Sequence, residues 1–200
     1  MKIDDARLAL SAHTERMLLR DGRPEVVFAG RSNVGKSSLL NRLLGRKDLA
    51  HTGSKPGRTR SVNYFLINDR LYFVDLPGYG YAKAAKQERR RWAELIDHYL
   101  RQALPGALVV LLVDTKVGAT ELDIQAYEYL DSLGGDIQVV ATKCDRVPRG
   151  KRSKMLAEVR RTLDLDSTTR VVPVSARTGD GIKELWSVIA QRALSTGAEK

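Results

Sequence analysis

Apolar residues along this chain fall into two alternating patterns, short runs and longer stretches with one apolar face. The short runs are typical of buried strands and occupy residues 26–29, 62–67, 71–74, 107–113, 137–141 and 170–174. The longer stretches repeat every three or four positions and predict helices at residues 38–44, 86–104, 121–133 and 151–163, with a last one from about residue 182. Strands that alternate with helices need crossover connections. We therefore predict a mainly parallel sheet covered by helices on both faces.

The second and third runs lie close together and predict a hairpin. Residues 62–67 and 71–74 are separated only by a polar turn at residues 68–70. We therefore predict an α/β fold of three layers, in which the mainly parallel sheet has one antiparallel edge strand. Residues 6–19 fit either a short amphipathic helix or an extended arm. On this pattern we divide the chain into an N-terminal extension (1–24), a single domain (25–196) and a tail (197–200).

Composition narrows the kinds of partner and compartment. Two hundred residues with 42% hydrophobic and 29% charged side chains suit one well-buried domain. The net charge of +10 favours a polyanionic partner, nucleic acid ahead of a membrane surface, or else reflects solvated surface cations. Cys144 is the only cysteine, which excludes an intramolecular disulfide and indicates a cytoplasmic protein. The N-terminal stretch is too charged for a signal sequence, and the apolar run at 107–113 is too short to span a bilayer.

The strand at residues 26–29 leads directly into a phosphate-binding motif. The pattern G-x-x-x-x-G-K-[ST] is formed by Gly30, Arg31, Ser32, Asn33, Val34, Gly35, Lys36 and Ser37. The two glycines allow backbone angles closed to other residues, so successive N–H groups can turn inward around a phosphate. The next helix directs its positive end at the same phosphates, Lys36 can reach the β and γ oxygens, and Ser37 is placed to ligate Mg²⁺. We predict a nucleoside triphosphate site here.

A second motif follows the second strand of the hairpin. It has the D-x-x-G arrangement and consists of Asp75, Leu76, Pro77 and Gly78. An aspartate at the carboxyl end of a strand can hold Mg²⁺ through water, and the N–H of Gly78 can hydrogen-bond the γ-phosphate. The D-x-x-G pattern is common in proteins. It supports a γ-phosphate contact here because it lies at the end of a strand that follows a phosphate loop.

The base is indicated by polar residues that follow two later strands. The first group is Thr142, Lys143, Cys144 and Asp145. Asp145 can accept hydrogen bonds from N1–H and the exocyclic amine of guanine, whereas adenine has no N1 proton. The stem of Lys143 can lie along the base, and the backbone of Ser175, Ala176 and Arg177 can donate to guanine O6. We predict guanine rather than adenine.

These motifs resemble those of the translation-factor-related GTPases, specifically the Era-like group and, within it, the EngB-type GTP-binding proteins. The resemblance covers residues 24–195 and rests on GRSNVGKSSLLN (30–41), KPGRT (55–59) followed by Asn63, Tyr64 and Phe65, DLPGYGYA (75–82), TELD (120–123) and TKCD (142–145). It implies a Ras-like P-loop NTPase fold with Mg²⁺-dependent GTP binding and hydrolysis. It also implies a role in assembling the bacterial large ribosomal subunit and in normal division. Thr142 stands where such proteins usually carry asparagine.

The resemblance further assigns a GTP-binding role to the loop before the hairpin. It implies that GTP is contacted by Gly57, Arg58, Thr59, Arg60 and Ser61. Thr59 resembles the threonine that closes on Mg²⁺ and the γ-phosphate, with Thr52 as a rival in the same loop. The implied metal ligands are Ser37 and Thr59 directly and Asp75 through water.

Hydrolysis is assigned to four residues, namely Lys36, Thr59, Gly78 and Asn33. Tyr79 stands where Ras-like enzymes usually carry the glutamine that positions water, and we therefore expect slow intrinsic hydrolysis. Asn33 is a candidate ligand for a K⁺ ion beside the phosphates, or else merely suits the loop backbone.

Basic residues flank the segments that would move with GTP. They form one group at Lys55, Arg58 and Arg60, a second at Lys83, Lys86, Arg89, Arg90 and Arg91, and a third at Arg146, Arg149, Lys151, Arg152 and Lys154. We expect a monomer without membrane contact that binds GTP or GDP and the large ribosomal subunit or its RNA. The alternatives are a GTPase with a membrane or division partner, or a small P-loop phosphotransferase, which leaves residues 142–145 unexplained.

Overall fold

The computed structural model describes residues 3–50, 61–80, 86–166 and 168–193. In this part of the chain seven strands form one sheet: β1 (Ala6–Ala12), β2 (Glu25–Gly30), β3 (Val62–Ile67), β4 (Leu71–Asp75), β5 (Leu108–Asp114), β6 (Asp136–Thr142) and β7 (Val172–Pro173). The α-helices described are α1 (Lys36–Leu44), α2 (Lys86–Ala103), α3 (Glu121–Ser132), α4 (Arg149–Thr162) and α5 (Ile182–Ala193). Among the described helices, none has the length and apolar character needed to cross a membrane.

The strands lie in the order β1-β3-β4-β2-β5-β6-β7. The central strand β2 pairs in parallel on both sides, with Val26 between Phe73 and Leu108. The predicted α/β fold with a mainly parallel sheet is confirmed, and β3 is the strand that runs against the others. It is second from the edge because β1 pairs antiparallel with its outer side. Of the two alternatives for residues 6–19, the structure therefore has an extended strand at 6–12.

Local backbone chemistry explains the predicted hairpin between β3 and β4. Asn68 and Asp69 have positive φ angles of 48° and 55°, and the N–H of Arg70 donates to the carbonyl of Ile67 at 3.0 Å. Positive φ at both central residues is the geometry of the tight turn that matches the twist of paired strands. Asparagine and aspartate tolerate this conformation better than most residues.

Alternate residues of β5 bury against different layers. Leu108, Val110 and Leu112 pack in a core with α1 and α5, whereas Val109 and Leu111 pack with α2 and α3. Val113, on the second face, packs with α4. A strand covered on both faces reads as a continuous apolar run, as the sequence pattern predicts. The carboxyl ends of β2, β4, β5 and β6 meet at one edge of this sheet.

Candidate nucleotide-binding site

The loop between β2 and α1 is shaped by two residues in the left-handed backbone region. Asn33 has φ 64° and Gly35 has φ 104°, and α1 begins immediately afterwards. Gly30 leaves no room for a side chain, since a Cβ there would lie 2.9 Å from Val34 Cγ1 and 3.0 Å from Leu112 Cβ. The loop thus wraps tightly around the start of α1, where unpaired N–H groups and the helix dipole favour an anion.

Lys36 and Asp75 bring the two phosphate-side motifs together. Asp75 ends β4 opposite Phe28 of β2, and the ammonium group of Lys36 pairs with its carboxylate. Both side chains are buried, with 8% and 3% of their surface exposed. The Ser37 hydroxyl and the Asp75 carboxylate are hard oxygen donors, which is the ligand chemistry that Mg²⁺ prefers. The residues present therefore fit a magnesium ion between these motifs.

Gly78 lies directly against the phosphate loop. The N–H of Tyr79 donates to the carbonyl of Gly30 at 3.3 Å, and the N–H of Ser32 donates to the carbonyl of Tyr79 at 2.9 Å. A Cβ on Gly78 would lie 3.0 Å from the nitrogen of Ser32, closer than such contacts normally come. Only glycine allows this approach without a backbone shift.

The base-side motif is also tied to the phosphate loop. The hydroxyl of Thr142 lies within hydrogen-bonding distance of two carbonyls, those of Val34 at 2.7 Å and Val113 at 3.0 Å, and its single proton is shared between them. Lys143, with φ 56°, donates from Nζ to the carbonyl of Asn33 at 2.7 Å and to Asp114 Oδ2 at 2.8 Å. A threonine is therefore long enough to connect β6 with the phosphate loop.

Asp145 is oriented by the segment after β7. The hydroxyl of Ser175 donates to Asp145 Oδ1 at 2.7 Å, and Nε of Arg177 donates to Oδ2 at 2.9 Å. The hydrogen bond from Ser175, followed by that from Arg177, lowers the pKa of Asp145 below its ordinary value. Asp145 is therefore an anionic acceptor at neutral pH, as guanine recognition requires.

A cavity of about 400 Å³ lies beside the base-side motif. Its wall includes Gly35, Lys143, Asp145 and Ala176. This size lies within the usual range for small-molecule sites. The cavity runs from the start of α1 to the base-side motif, as an elongated ligand with a phosphate end and a planar end requires.

Three comparisons identify the group of proteins to which this architecture belongs. A profile of the family described as "50S ribosome-binding GTPase" matches residues 25–143. The chain is 40% identical over 191 residues to the probable GTP-binding protein EngB of Oceanobacillus iheyensis, covering 96% of this chain and 98% of that protein. Identity to the protein of the same name from Geobacillus kaustophilus is 45% over 191 residues, with 94% and 97% coverage. The chain belongs to the EngB family of GTP-binding proteins.

The EngB assignment confirms the resemblance found in the sequence, and the chain is a GTPase of this family. Solved structures agree on the fold. A probable GTP-binding protein engB aligns with a TM-score of 0.72 and 26% identity, covering 86% of this chain and 99% of that one. Era in complex with MgGDPNP and nucleotides 1506–1542 of 16S ribosomal RNA aligns with a TM-score of 0.69 and 27% identity, covering 84% of this chain and 56% of that one.

Most residues predicted from the EngB-type motifs come together at this edge of the sheet, in the segments 30–37, 75–78, 142–145 and 175–177. Cys144 is 1% exposed and Leu76 3%, so their side chains belong to the core. Ser61 is buried before β3 and donates to Asn63, whose strand partner is Asp75. Other predicted residues lie outside the described part of the chain, namely Thr52, Lys55, Gly57, Arg58, Thr59, Arg60 and Lys83.

Two aspartates at this site were given no role by the sequence patterns, although Asp123 belongs to the TELD motif. Asp114 ends β5, as Asp75 ends β4, and the position at a strand end is the signal that could have found it. Burial acts to raise the pKa of Asp114, but hydrogen bonds from Lys143 and from backbone N–H groups outweigh it and lower that pKa. Asp123 lies in the first turn of α3, where the pattern T-x-x-D predicts a helix cap and no more.

Proposed function

We propose that this GTPase is a Mg²⁺-dependent switch that binds the large ribosomal subunit or its RNA while that subunit is assembled. The description of the matching family as ribosome-binding supports this proposal. The similarity to Era, whose solved structure includes MgGDPNP and a segment of 16S ribosomal RNA, supports a ribosomal RNA partner, although 16S RNA belongs to the small subunit. The observation that carries the proposal is a groove lined by cations at the rim of the nucleotide cavity.

The proposed GTP contacts combine the positions of the described residues with the role that the family resemblance implies for Thr59, which lies outside the described part of the chain. Residues 30–37 surround the phosphates, Asp145 reads the base, and Ser37 and Thr59 ligate Mg²⁺ directly while Asp75 does so through water. The ion supplies positive charge to the phosphate oxygens when bound. Lys36 would contribute a second positive charge to the same phosphate oxygens.

The cationic groove, defined by Arg42, Arg46, Lys47 and Arg177, has a volume of about 350 Å³ and shares Ala176 and Arg177 with the wall of the nucleotide cavity. Among the described residues, no carboxylate pairs with the first three, which are all exposed. Unpaired cations around a groove favour a phosphate backbone as partner.

The loop that carries two of these cations is held in place. The amide of Asn41 donates to the carbonyl of Ala50 at 2.7 Å and accepts from the N–H of Ala50 at 2.7 Å. This reciprocal pair fixes the loop after α1, residues 45–49, against the end of that helix, so Arg46 and Lys47 stay beside the groove. A ligand in the cavity and a polyanion in the groove would therefore contact the same Arg177, which would make RNA binding respond to the presence of a nucleotide. A difference between GTP and GDP would have to come from the γ-phosphate contacts proposed for Gly78 and Thr59.

Sedimentation with purified large ribosomal subunits tests this proposal. The protein is loaded with GDP or a non-hydrolysable GTP analogue and compared at two salt concentrations. We expect co-sedimentation with the analogue that weakens steeply with salt, since each phosphate contact releases counterions. Changing Arg42, Arg46 and Lys47 together to glutamate should abolish it.

A matched control reverses three exposed arginines away from the site, Arg16, Arg20 and Arg70, and changes the net charge equally. Retention of binding by this control would show that position matters and not only total charge. Equal loss in both variants, or no binding with either nucleotide, would remove the ribosome from the proposal and favour a protein or membrane partner.

We also propose that intrinsic hydrolysis is slow and depends on K⁺. Tyr79 replaces the usual glutamine, and Asn33 lies in the loop where an amide oxygen could ligate K⁺ beside the phosphates. GTP turnover measured in K⁺ and Na⁺ buffers of equal ionic strength should differ, and Asn33→Ala should remove the difference. Equal turnover in both salts would leave Asn33 with only a backbone role.

A further inference from the structure

Asp123 is the most completely enclosed carboxylate near the candidate site, with none of its surface exposed. Its Oδ2 atom accepts hydrogen bonds from the N–H of Thr120 at 2.8 Å and from the Thr120 hydroxyl at 2.7 Å. These contacts form the cap of α3. Arg31 Nε lies 3.1 Å from the same oxygen, close enough for an ion pair although its N–H is not aligned for a hydrogen bond.

The other oxygen of Asp123 has a separate role. Oδ1 accepts the hydroxyl of Tyr79 at 2.8 Å, a contact that joins α3 to the segment following Gly78. Burial, followed by the nearby Asp123 charge, raises the pKa of the Tyr79 phenol well above its ordinary value, so the phenol stays a donor. A helix cap needs only Oδ2, which leaves the contact through Oδ1 unexplained by the stability of α3.

Tyr79 is consequently tied at three points. Its N–H and carbonyl bond to Gly30 and Ser32 of the phosphate loop, and its side chain bonds to Asp123. Tyr79, the residue that follows Gly78, is therefore fixed between the phosphate loop and α3. Arg31 belongs to the phosphate loop and reaches Asp123 as well, so the loop, α3 and the segment after β4 meet at one buried carboxylate.

We propose that Tyr79 and Asp123 are positioning residues for GTP hydrolysis, which hold the Gly78 N–H against the phosphate loop at the place of the γ-phosphate. In this proposal Tyr79 does not contact the attacking water. It acts by fixing the backbone of Gly78. The inference rests on the phosphate contact proposed for Gly78 and is independent of the ribosomal partner. Removing the tie should slow hydrolysis while leaving GDP binding almost unchanged, since GDP has no γ-phosphate to meet Gly78.

Tyr79→Phe is the most direct test, because it removes one hydroxyl and leaves the cap of α3 intact. We expect kcat for GTP to fall about tenfold, with KM and the Kd for GDP within twofold of the original protein. Tyr99→Phe is a matched control, since the Tyr99 hydroxyl donates to the half-buried Glu25 at 2.6 Å at the opposite end of the sheet. It should leave kcat unchanged.

Asp123→Asn and the double variant complete the experiment. The amide of asparagine has one acceptor oxygen, so it cannot accept from both the cap and the Tyr79 hydroxyl, and it no longer carries the charge facing Arg31. We expect the single variant to reduce kcat as much as Tyr79→Phe does, and the double variant to lose no more. Full activity of Tyr79→Phe, additive losses in the double variant, or an equal loss of GDP affinity would each overturn the proposal. Gly78→Ala, measured alongside, separates these outcomes from failure of the Gly78 contact itself.

Discussion

Tyr79 donates a hydrogen bond to the buried carboxylate of Asp123 at the carboxyl end of the sheet, and Tyr99 donates one to the half-buried carboxylate of Glu25 at the opposite end. Asp123 accepts hydrogen bonds from the Tyr79 hydroxyl and from two groups of Thr120, and it forms an ion pair with Arg31. Glu25 has Tyr99 as its hydrogen-bond donor within the described residues. Burial raises the pKa of Glu25 to about 6, and the Tyr99 hydrogen bond only partly opposes the rise.

The difference shows how the surroundings of Asp123, which we propose positions the site, differ from those of a half-buried carboxylate at the other end of the sheet. At the carboxyl end, hydrogen-bond donors from different elements converge on one carboxylate. Removing one of these contacts should therefore change GTP hydrolysis or nucleotide affinity. At the opposite end the Glu25 carboxylate has a single hydroxyl donor that only partly offsets its burial. Changes there should therefore alter the free energy of unfolding. Each prediction below tests one side of this contrast.

Asp145→Asn should have the largest effect, at the carboxyl end. The amide cannot accept from both guanine N–H groups, and one of its own N–H groups would face the exocyclic amine. We expect GTP and GDP affinity to fall on the order of 10³-fold. Xanthosine triphosphate, with a carbonyl in place of that amine, should bind better to the variant than GTP does. Isothermal titration with both nucleotides checks this, and unchanged GTP affinity would remove Asp145 from base recognition.

Gly78→Ala should have the next largest effect, also at the carboxyl end. The added Cβ would lie 3.0 Å from the nitrogen and 3.1 Å from the Cα of Ser32, so the backbone must shift away from the phosphate loop. We expect kcat to fall roughly 10²-fold because a donor to the developing charge is displaced. The Kd for GDP should change little. Stopped-flow binding and single-turnover hydrolysis distinguish the two effects, and normal hydrolysis would contradict the assignment.

Glu25→Gln tests the opposite end through pH. The folded-state pKa of about 6 exceeds the ordinary value of 4.5, so the folded protein binds the extra proton between these values. Stability is therefore greatest below about pH 4.5 with respect to this group, and it is lost as pH rises through 6. The shift corresponds to about 2 kcal/mol.

The measurement is urea unfolding of both proteins between pH 4 and 7.5. The difference in unfolding free energy between original and variant should change across pH 4.5–6, whereas GTP hydrolysis at neutral pH stays the same. If the difference in unfolding free energy did not change with pH, Glu25 would have an ordinary pKa. If the variant lost GTP hydrolysis, the two ends of the sheet would not differ in the way we expect.

Tyr99→Phe should have the smallest effect. It leaves Glu25 without its hydroxyl donor and costs about 1 kcal/mol of unfolding free energy at neutral pH. Because the missing donor favoured the charged form, the pKa of Glu25 should rise further. Thermal unfolding at pH 5 and pH 7.5 checks this, with the larger loss expected at pH 7.5. A larger loss at pH 5 would show that the hydroxyl is not bonded to the carboxylate.

The sequence by itself determined the alternation of strands and helices, the hairpin at Asn68 and Asp69, and the four motifs at strand ends. These features depend on spacing within a few residues, on glycines that admit unusual backbone angles, and on apolar periodicity, all of which are local. Only the tertiary structure decided that β1 covers the outer side of β3, and that Tyr79 meets Asp123, 44 residues away. Such contacts depend on how helices pack across a sheet, and no periodicity in the chain specifies which side chains then face each other.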